Sequence, residues 1–266
     1  MSENLPLVSV IMPCFNAEKL ISHSIESVIA QSYNNWELLV IDDCSKDNSA
    51  LVIQSYCDKD ARVKYYKTNV PSGSPAEPRN VGIKVAKGRF IAFLDSDDLW
   101  YSSKLENQVK TFLSCNDESV AVVFSYYEKF SDETNNTKQH EKRVVRSPSL
   151  VTYKKLLNGN CIGNLTGILD TEKIGKIYQK KVGHEDYLFW LTCLKPVVSS
   201  NNTFKAINTN TVEAKYRQVS TSTSGNKGNA FKWTWNIYRN EIKLSLMKSL
   251  YHFFIYAFKG FVKFLK

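Results

Sequence analysis

Asp95-Ser-Asp97 sets two carboxylates two residues apart, and in an extended chain that alternation turns both to the same side. A hard divalent cation suits such a pair. Magnesium or manganese takes oxygen ligands, keeps one or two protein carboxylates and fills the rest of its shell with water and substrate phosphates. The ligand favoured by such a site is a metal-bridged diphosphate. Two further polar clusters, Pro13-Cys-Phe-Asn16 and Asp42-Asp-Cys-Ser45, also follow short apolar runs. Each alone reads as a turn or helix cap, because Asp, Asn and Ser satisfy nearby backbone N–H groups. Together at one sheet edge they crowd the carboxylates of Asp42, Asp43, Asp95, Asp97 and Asp98, which is costly unless a cation or a donor-rich ligand offsets the repulsion.

Other chemistries fit these residues less well. An EF-hand would use Asp95, Asp97 and Glu106, but its sharp turn needs glycine where this chain has Trp100. An aspartyl-phosphate phosphatase would carry its pair after the first strand with Thr or Val close behind, whereas here Asp98-Leu99 follows. G-x-G-x-x-G and P-loop patterns are absent, so dinucleotide and P-loop readings have no support.

The elements that would hold these clusters alternate between strand and helix patterns, the appearance of a parallel sheet. Apolar runs predict strands over 8–12, 36–41, 62–66, 90–94 and 120–126. Helical spacing predicts helices over 18–31, 48–56, 79–86, 102–113 and 185–194. The three polar clusters then fall at the carboxyl ends of strands, where ligands of doubly wound sheets sit. Residues 131–149 read as a loop or weak edge strands, 220–228 as a Ser/Thr/Gly/Asn loop and 231–266 as one or two final helices.

The 266 residues carry 35 Lys+Arg against 26 Asp+Glu, with 43% hydrophobic residues, 11 Gly and 7 Pro. Disordered, collagenous and disulfide-scaffold classes are excluded, and one α/β domain with a small appendage is expected. The six cysteines are scattered, with no C-x-x-C pair, so they are expected to be reduced thiols in the cytoplasm. A net charge of +9 raises a nucleic-acid partner, but Lys259, Lys263 and Lys266 sit among aromatics at one end instead of forming a basic stripe. No nucleic acid is expected. No stretch has the form of a secretory leader or of a spanning helix.

Read as a set, Val8-Ser-Val-Ile-Met-Pro-Cys-Phe-Asn16, Ile41-Asp-Asp-Cys-Ser-Lys-Asp-Asn48, Arg79-Asn-Val-Gly82, Gly88-Arg-Phe-Ile-Ala-Phe-Leu-Asp-Ser-Asp-Asp98 and His184-Glu-Asp-Tyr-Leu-Phe-Trp190 resemble family 2 of the nucleotide-sugar glycosyltransferases, in order and spacing, over residues 7–195. The resemblance implies the GT-A fold: a Rossmann-like single α/β domain with a central, mostly parallel sheet. It implies a nucleoside-diphosphate sugar held with Mn2+ or Mg2+ and inversion at the anomeric centre. Position by position, Pro13 and Phe15 would line a uracil pocket, and Asp43 would accept the pyrimidine N–H, with Asp42 shaping the turn beside it. Arg79 would close the base side of the pocket. Asp95 would hold the ribose or the metal, and Asp97 would ligate the metal. Asp186, preceded by Glu185, corresponds to the family's general base; alone, the pair reads as an acidic first turn of a helix. Arg217 lies in a segment resembling one near the donor phosphates in related polysaccharide enzymes, and would contact phosphate.

The stretch from His184 to Leu191 and the chain length resemble O-antigen and capsule enzymes. These move glucose or galactose from UDP to an N-acetylhexosamine on polyprenyl diphosphate, with a β linkage following from inversion. A catalytically inactive nucleotide-sugar or carbohydrate binding module on the same fold is the alternative, and the intact Asp95, Asp97 and Asp186 argue against it.

A glycosyltransferase domain over 1–230 would be followed by a helical segment over 231–266. Residues 243–266 hold five lysines and no acid, and Leu250, Phe254, Ala257, Phe258, Phe261 and Leu265 share one helical side. Such a segment suits a membrane surface, with aromatics at headgroup level and lysines on anionic lipid, although a wide aromatic face can equally pack on the domain. The expected location is cytoplasmic, peripheral on the inner face of the inner membrane.

Overall fold

A computed structural model describes residues 5–131, 143–196, 203–218 and 227–264. The polar stretch 132–142 and most of the expected 220–228 loop lie outside the described residues. The elements run β1 (Val8–Cys14), α1 (Ile21–Ile29), β2 (Trp36–Asp42), α2 (Ser49–Cys57), β3 (Val63–Lys67), α3 (Ala76–Val85), β4 (Phe90–Phe93), β5 (Leu99–Trp100), α4 (Lys104–Ser114) and β6 (Val120–Phe130). They continue with β7 (Arg143–Val145), β8 (Leu150–Thr152), α5 (Tyr153–Leu156), β9 (Ile168–Asp170), α6 (Thr171–Ile174), α7 (Glu185–Cys193), β10 (Lys205–Arg217), α8 (Lys227–Asn236) and α9 (Leu246–Phe264).

Every residue of β1 and β2 is buried, as mostly apolar strands covered on both faces require, and the buried Glu37 among them accepts from Ser9 Oγ and Lys64 Nζ, each at 2.7 Å. One sheet has the order β3-β2-β1-β4-β9-β6-β10-β5, with β7 on β6 and β8 on β10. The long ladders, β1 with β2 and β4, β2 with β3, and β6 with β10, are parallel, and the antiparallel additions span only two or three residues each. Helices α1, α2 and α4 cover one face, where Ile21, Ile25 and Val28 of α1 and Leu105 and Val109 of α4 enter the core. The other face buries Ile83 of α3, most of α7, and Ile237 and Tyr238 from the turn after α8.

Two boundaries differ from sequence expectation for local reasons. α1 begins at Ile21 instead of residue 18, because the N–H groups of Ala17 and Glu18 are taken by Ser49 Oγ at 2.8 Å and Asp47 Oδ2 at 3.0 Å. α3 begins at Ala76, and Pro78 is tolerated there because a first helical turn does not use its N–H groups. β10 was not expected at all: its Asn-Thr-Asn-Thr run lacks apolar alternation, and its register against β6 shifts three times.

Lys104 lies fully buried under this sheet, its Nζ donating to Gln108 Oε1 at 2.5 Å and Thr166 O at 3.1 Å and sitting 4.7 Å from the Trp100 ring centroid. Burial lowers its ammonium to about 7. In the unfolded chain lysine titrates near 10.4, so between about pH 7 and 10 the unfolded state holds more protons and stability rises with pH. Lys104→Met removes that contribution. The thermal midpoint of the wild type should therefore gain on that of the variant from pH 7 to pH 9, as read by circular dichroism.

Candidate active site

Three loops meet at the carboxyl edge of β1, β2 and β4. Cys14 stands opposite Asp42 in the parallel register, Asp43 N–H donates to Cys14 O at 2.8 Å, and Leu94 N–H donates to Ile11 O at 3.1 Å. Asn16 and Cys44 sit in the left-handed region, at φ 49° and 62°. Asn16 N–H donates to Ser45 Oγ at 2.9 Å, and Asn16 Oδ1 accepts from Lys46 N–H at 2.8 Å. The first two loops are thus laced together.

They enclose a cavity of about 620 Å³ whose lining includes Pro13, Phe15, Asp43, Ser74, Asp95 and Asp97. Phe15 is 53% exposed, an aromatic held at the mouth. Asp43 accepts from Thr68 Oγ1 at 2.8 Å and from Ser72 N–H and Oγ, the latter at 2.8 Å, which aims the buried carboxylate. Asp42 does not line the cavity. It is fully buried behind it, accepting from Ser45 N–H at 2.8 Å and Tyr65 Oη at 2.9 Å, which ties it to the turn.

Arg79 is also buried behind the cavity wall and not in its lining. It reaches Asp95 Oδ1 at 2.5 Å and Gln179 Oε1 at 3.2 Å. Asp95 and Asp97 both face the cavity, and burial together with the charge of Asp95 pushes the Asp97 carboxyl up. Asp98 turns inward: its Oδ1 accepts from Arg217 N–H at 2.8 Å, and burial and the two neighbouring aspartates raise its carboxyl well above the usual range. Arg217 is set against the back of this turn, its Nε donating to Asp97 O at 2.7 Å and its guanidinium lying 4.5 Å from the Phe130 ring centroid. It braces the aspartate turn and is not in the cavity lining.

The pair Asp95 and Asp97 fits a divalent cation. Both offer hard oxygens into one cavity, their mutual repulsion is what a cation relieves, and no cluster of three or more His, Cys, Asp or Glu closes the shell among the described residues. Positions therefore remain for water and phosphate oxygens.

Glu185 and Asp186 open α7 at the rim. Ser74, which lines the cavity, donates to Glu185 Oε1 at 3.2 Å. Burial pushes the half-buried Asp186 carboxyl up, with His184 and Arg79 pulling the other way. Gly183, at φ 92°, lies under Trp233, whose ring also meets His184 edge-on at 5.2 Å. Two further residues belong here that sequence reasoning missed. Asn160 donates to Asp186 Oδ2 at 2.9 Å, and Tyr127, its hydroxyl pushed up to about 12 mainly by burial, feels the charges of both Asp98 and Asp186. Asn160 sits in an Asn-Gly-Asn run that signals only a turn, and Tyr127 continues a strand pattern, so neither stood out.

A cavity lined by three aspartates thus lies at the carboxyl edge of a mostly parallel sheet, where α/β folds bind their ligands. The family model for "Glycosyl transferase family 2" matches residues 9–175. A relative of Escherichia coli described as "UDP-Glc:alpha-D-GlcNAc-diphosphoundecaprenol beta-1,3-glucosyltransferase WfgD" is 39% identical, covering 92% of this chain and 90% of its own length. "Putative teichuronic acid biosynthesis glycosyltransferase TuaG" of Bacillus subtilis is 35% identical, covering 95% of each chain. A solved structure, S. aureus TarS with UDP-GlcNAc, has a TM-score of 0.67 at 22% identity over 94% of this chain and 70% of that one, a likeness of fold. The chain belongs to glycosyl transferase family 2, with the GT-A fold, and is a glycosyltransferase.

Arg79→Leu should remove the cation that offsets Asp95 and Asp97. With Asp95 about one-third exposed, the loss should be modest, about 1–2 kcal/mol in urea unfolding at pH 7.

Proposed function

We propose that this chain is a metal-dependent inverting hexosyltransferase of bacterial O-antigen or capsular polysaccharide assembly, moving glucose or galactose from a UDP-sugar to a hydroxyl of an N-acetylhexosamine on polyprenyl diphosphate. The observation that carries the reading is one cavity lined by Asp43, Asp95 and Asp97, whose rim residue Ser74 bonds to Glu185 beside Asp186. Its volume suits a nucleotide sugar, since such ligand sites run from roughly 300 to 1,000 Å³. WfgD and a second E. coli relative, WfaP, 32% identical over 97% of this chain, are both described for UDP-Glc and a GlcNAc-diphosphoundecaprenol, which supports glucose and the lipid-linked acceptor.

Phe15 and Pro13 pack on the uracil and Asp43 accepts its N–H, while the Asp43 bonds to Ser72 and Thr68 hold the carboxylate for that contact. Asp95 and Asp97 hold the cation. When bound, Mn2+ or Mg2+ neutralises charge on the departing diphosphate, a contribution worth several kcal/mol. Asp186 takes the acceptor hydroxyl proton, and its raised carboxyl makes it a stronger base at neutral pH than an exposed aspartate. The acceptor oxygen then attacks the anomeric carbon on the face opposite the UDP oxygen, the glycosidic bond forms as the C–O bond to UDP breaks, and an α-linked donor gives a β-linked product. Asp42, Arg79 and Arg217 act from behind the cavity lining, on the turns that carry these groups.

The C-terminal segment 231–266 is read as the membrane-associating part that follows the catalytic domain. No helix among the described residues is long and apolar enough to cross a membrane. α9 has two faces: Ser249 and His252 are buried and Phe253 packs on Phe231 and Trp235, whereas Met247, Tyr251, Phe254, Phe258 and Phe261 are exposed, Met247 and Phe254 by 77% and 72%. Both readings of the segment thus have a face on the same helix. The outer face, flanked by lysines, suits an anionic bilayer that carries the polyprenyl acceptor. This reading puts the enzyme on the cytoplasmic face of the inner membrane.

Asp97→Ala should leave a folded protein with transfer cut by far more than tenfold, measured as UDP release from UDP-glucose with manganese present. Asp186→Asn should keep UDP binding and lose transfer; normal turnover with weakened UDP binding would move the residue to the donor pocket. The triple variant Phe254→Ser, Phe258→Ser, Phe261→Ser touches only the outer face, so it should keep the wild-type thermal midpoint while losing flotation with phosphatidylglycerol-containing vesicles. Deleting the segment from residue 250 would instead remove the packed face and confound the test.

A further inference from the structure

The loop between α5 and β9 carries an arrangement that the reaction outlined above does not use. Asn160 Nδ2 donates to Asp186 Oδ2 at 2.9 Å, and Asn160 Oδ1 accepts from Ile162 N–H at 3.1 Å. The second bond fixes the amide: with its carbonyl oxygen on a backbone donor, the NH2 group is the end that meets the carboxylate. Donation to a carboxylate favours its ionised form, which opposes the effect of burial on Asp186.

The loop itself is anchored on three sides. Leu156 O accepts from Tyr187 Oη of α7 at 2.9 Å, and Leu157 O accepts from Tyr238 Oη at 2.5 Å. Asn158 Oδ1 pairs with His252 Nδ1 of α9 at 2.8 Å, and Asn158 O accepts from Lys259 Nζ at 3.4 Å. Gly159, at φ 119°, lies against the Tyr256 ring, 3.2 Å from where a Cβ would stand. A short polar loop is thereby pinned, with Asn160 at its tip.

We propose that Asn160 is the positioning residue of Asp186, holding one carboxylate oxygen so that the carboxylate stays ionised and its other oxygen is presented to the acceptor hydroxyl. This rests on the reading of Asp186 as the base. The charged and titratable groups that also bear on Asp186 are His184 and Glu185 at the start of α7, Arg79 of α3 and Tyr127 of β6, all unchanged in the test below.

The test is single-turnover transfer by the full chain from UDP-glucose to a synthetic polyprenyl-diphosphate GlcNAc, between pH 5 and 9, so that product release does not mask the chemical step. Asn160→Asp is the decisive variant. It can still accept from Ile162 N–H, so the loop keeps its turn, but it replaces the donor to Asp186 with a second negative charge. The acidic limb of the rate profile should move up by about one pH unit or more, with transfer at pH 7 reduced roughly tenfold and the half-saturating donor concentration unchanged. Asn160→Ala should shift the limb in the same direction by less. If Asn160→Ala does not fold, Asn160→Asp alone decides. A wild-type rate and profile in Asn160→Asp would overturn the proposal, because a merely structural Asn160 needs only the acceptor for Ile162. Asp186→Asn is run in parallel: retained transfer there removes the base reading itself, whereas lost transfer beside an unshifted Asn160→Asp profile removes only this inference.

Discussion

Like charges crowded at one sheet edge govern how this site is built. Two carboxylates about 4 Å apart repel by roughly 4 kcal/mol at the effective dielectric of a protein surface, and five of them end or follow β2 and β4. The chain disposes of most of this locally. Asp42 is spent on a backbone N–H and a tyrosine, Asp43 on Ser72 and Thr68, Asp95 on Arg79, and Asp98 on the Arg217 backbone. Asp97 keeps a raised carboxyl facing the cavity. The unrelieved charge is thus concentrated where a cation and a diphosphate can answer it.

Much of this was legible from sequence because the same physics writes both. Strands buried on both faces must be apolar runs, and so β1, β2 and β4 stood out together with the polar loops that end them. Neighbouring aspartates were told apart by the family resemblance and not by their own residue types. Whether Asp42 or Asp43 meets a ligand depends on which one the turn at Cys44 points inward, and a left-handed cysteine leaves no mark in composition. Arg217 was visible as a basic residue of interest, but its position behind the aspartate turn depends on β10, a strand of Thr and Asn with register shifts that no apolar pattern announces. Asn160 was hidden for a similar reason, since its partner is 26 residues away in another element.

The two faces of α9 unite what looked like competing readings. A wide aromatic stripe around a helix can be core or membrane-facing, and here angular position divides it: Phe253 and Tyr256 turn to Phe231, while Phe254 and Phe258 turn away. The helical period alone sorts neighbouring aromatics onto opposite sides. The inner face also meets the loop bearing Asn160, so the helix that we place on the bilayer is in contact with the surroundings of the proposed base.

Gly183 and Trp233 constrain each other from distant parts of the chain. A side chain at 183 would be strained by its φ of 92° and would also overlap the indole ring. The tryptophan in turn fills the hollow that the glycine leaves and meets His184 edge-on, one step before the acidic pair. Neither can be exchanged singly without opening a gap or forcing a collision at the start of α7. In evolutionary terms the two positions form a locked pair: a lineage that gives up the glycine must first shrink the tryptophan and pass through an intermediate whose acidic turn has lost its cover.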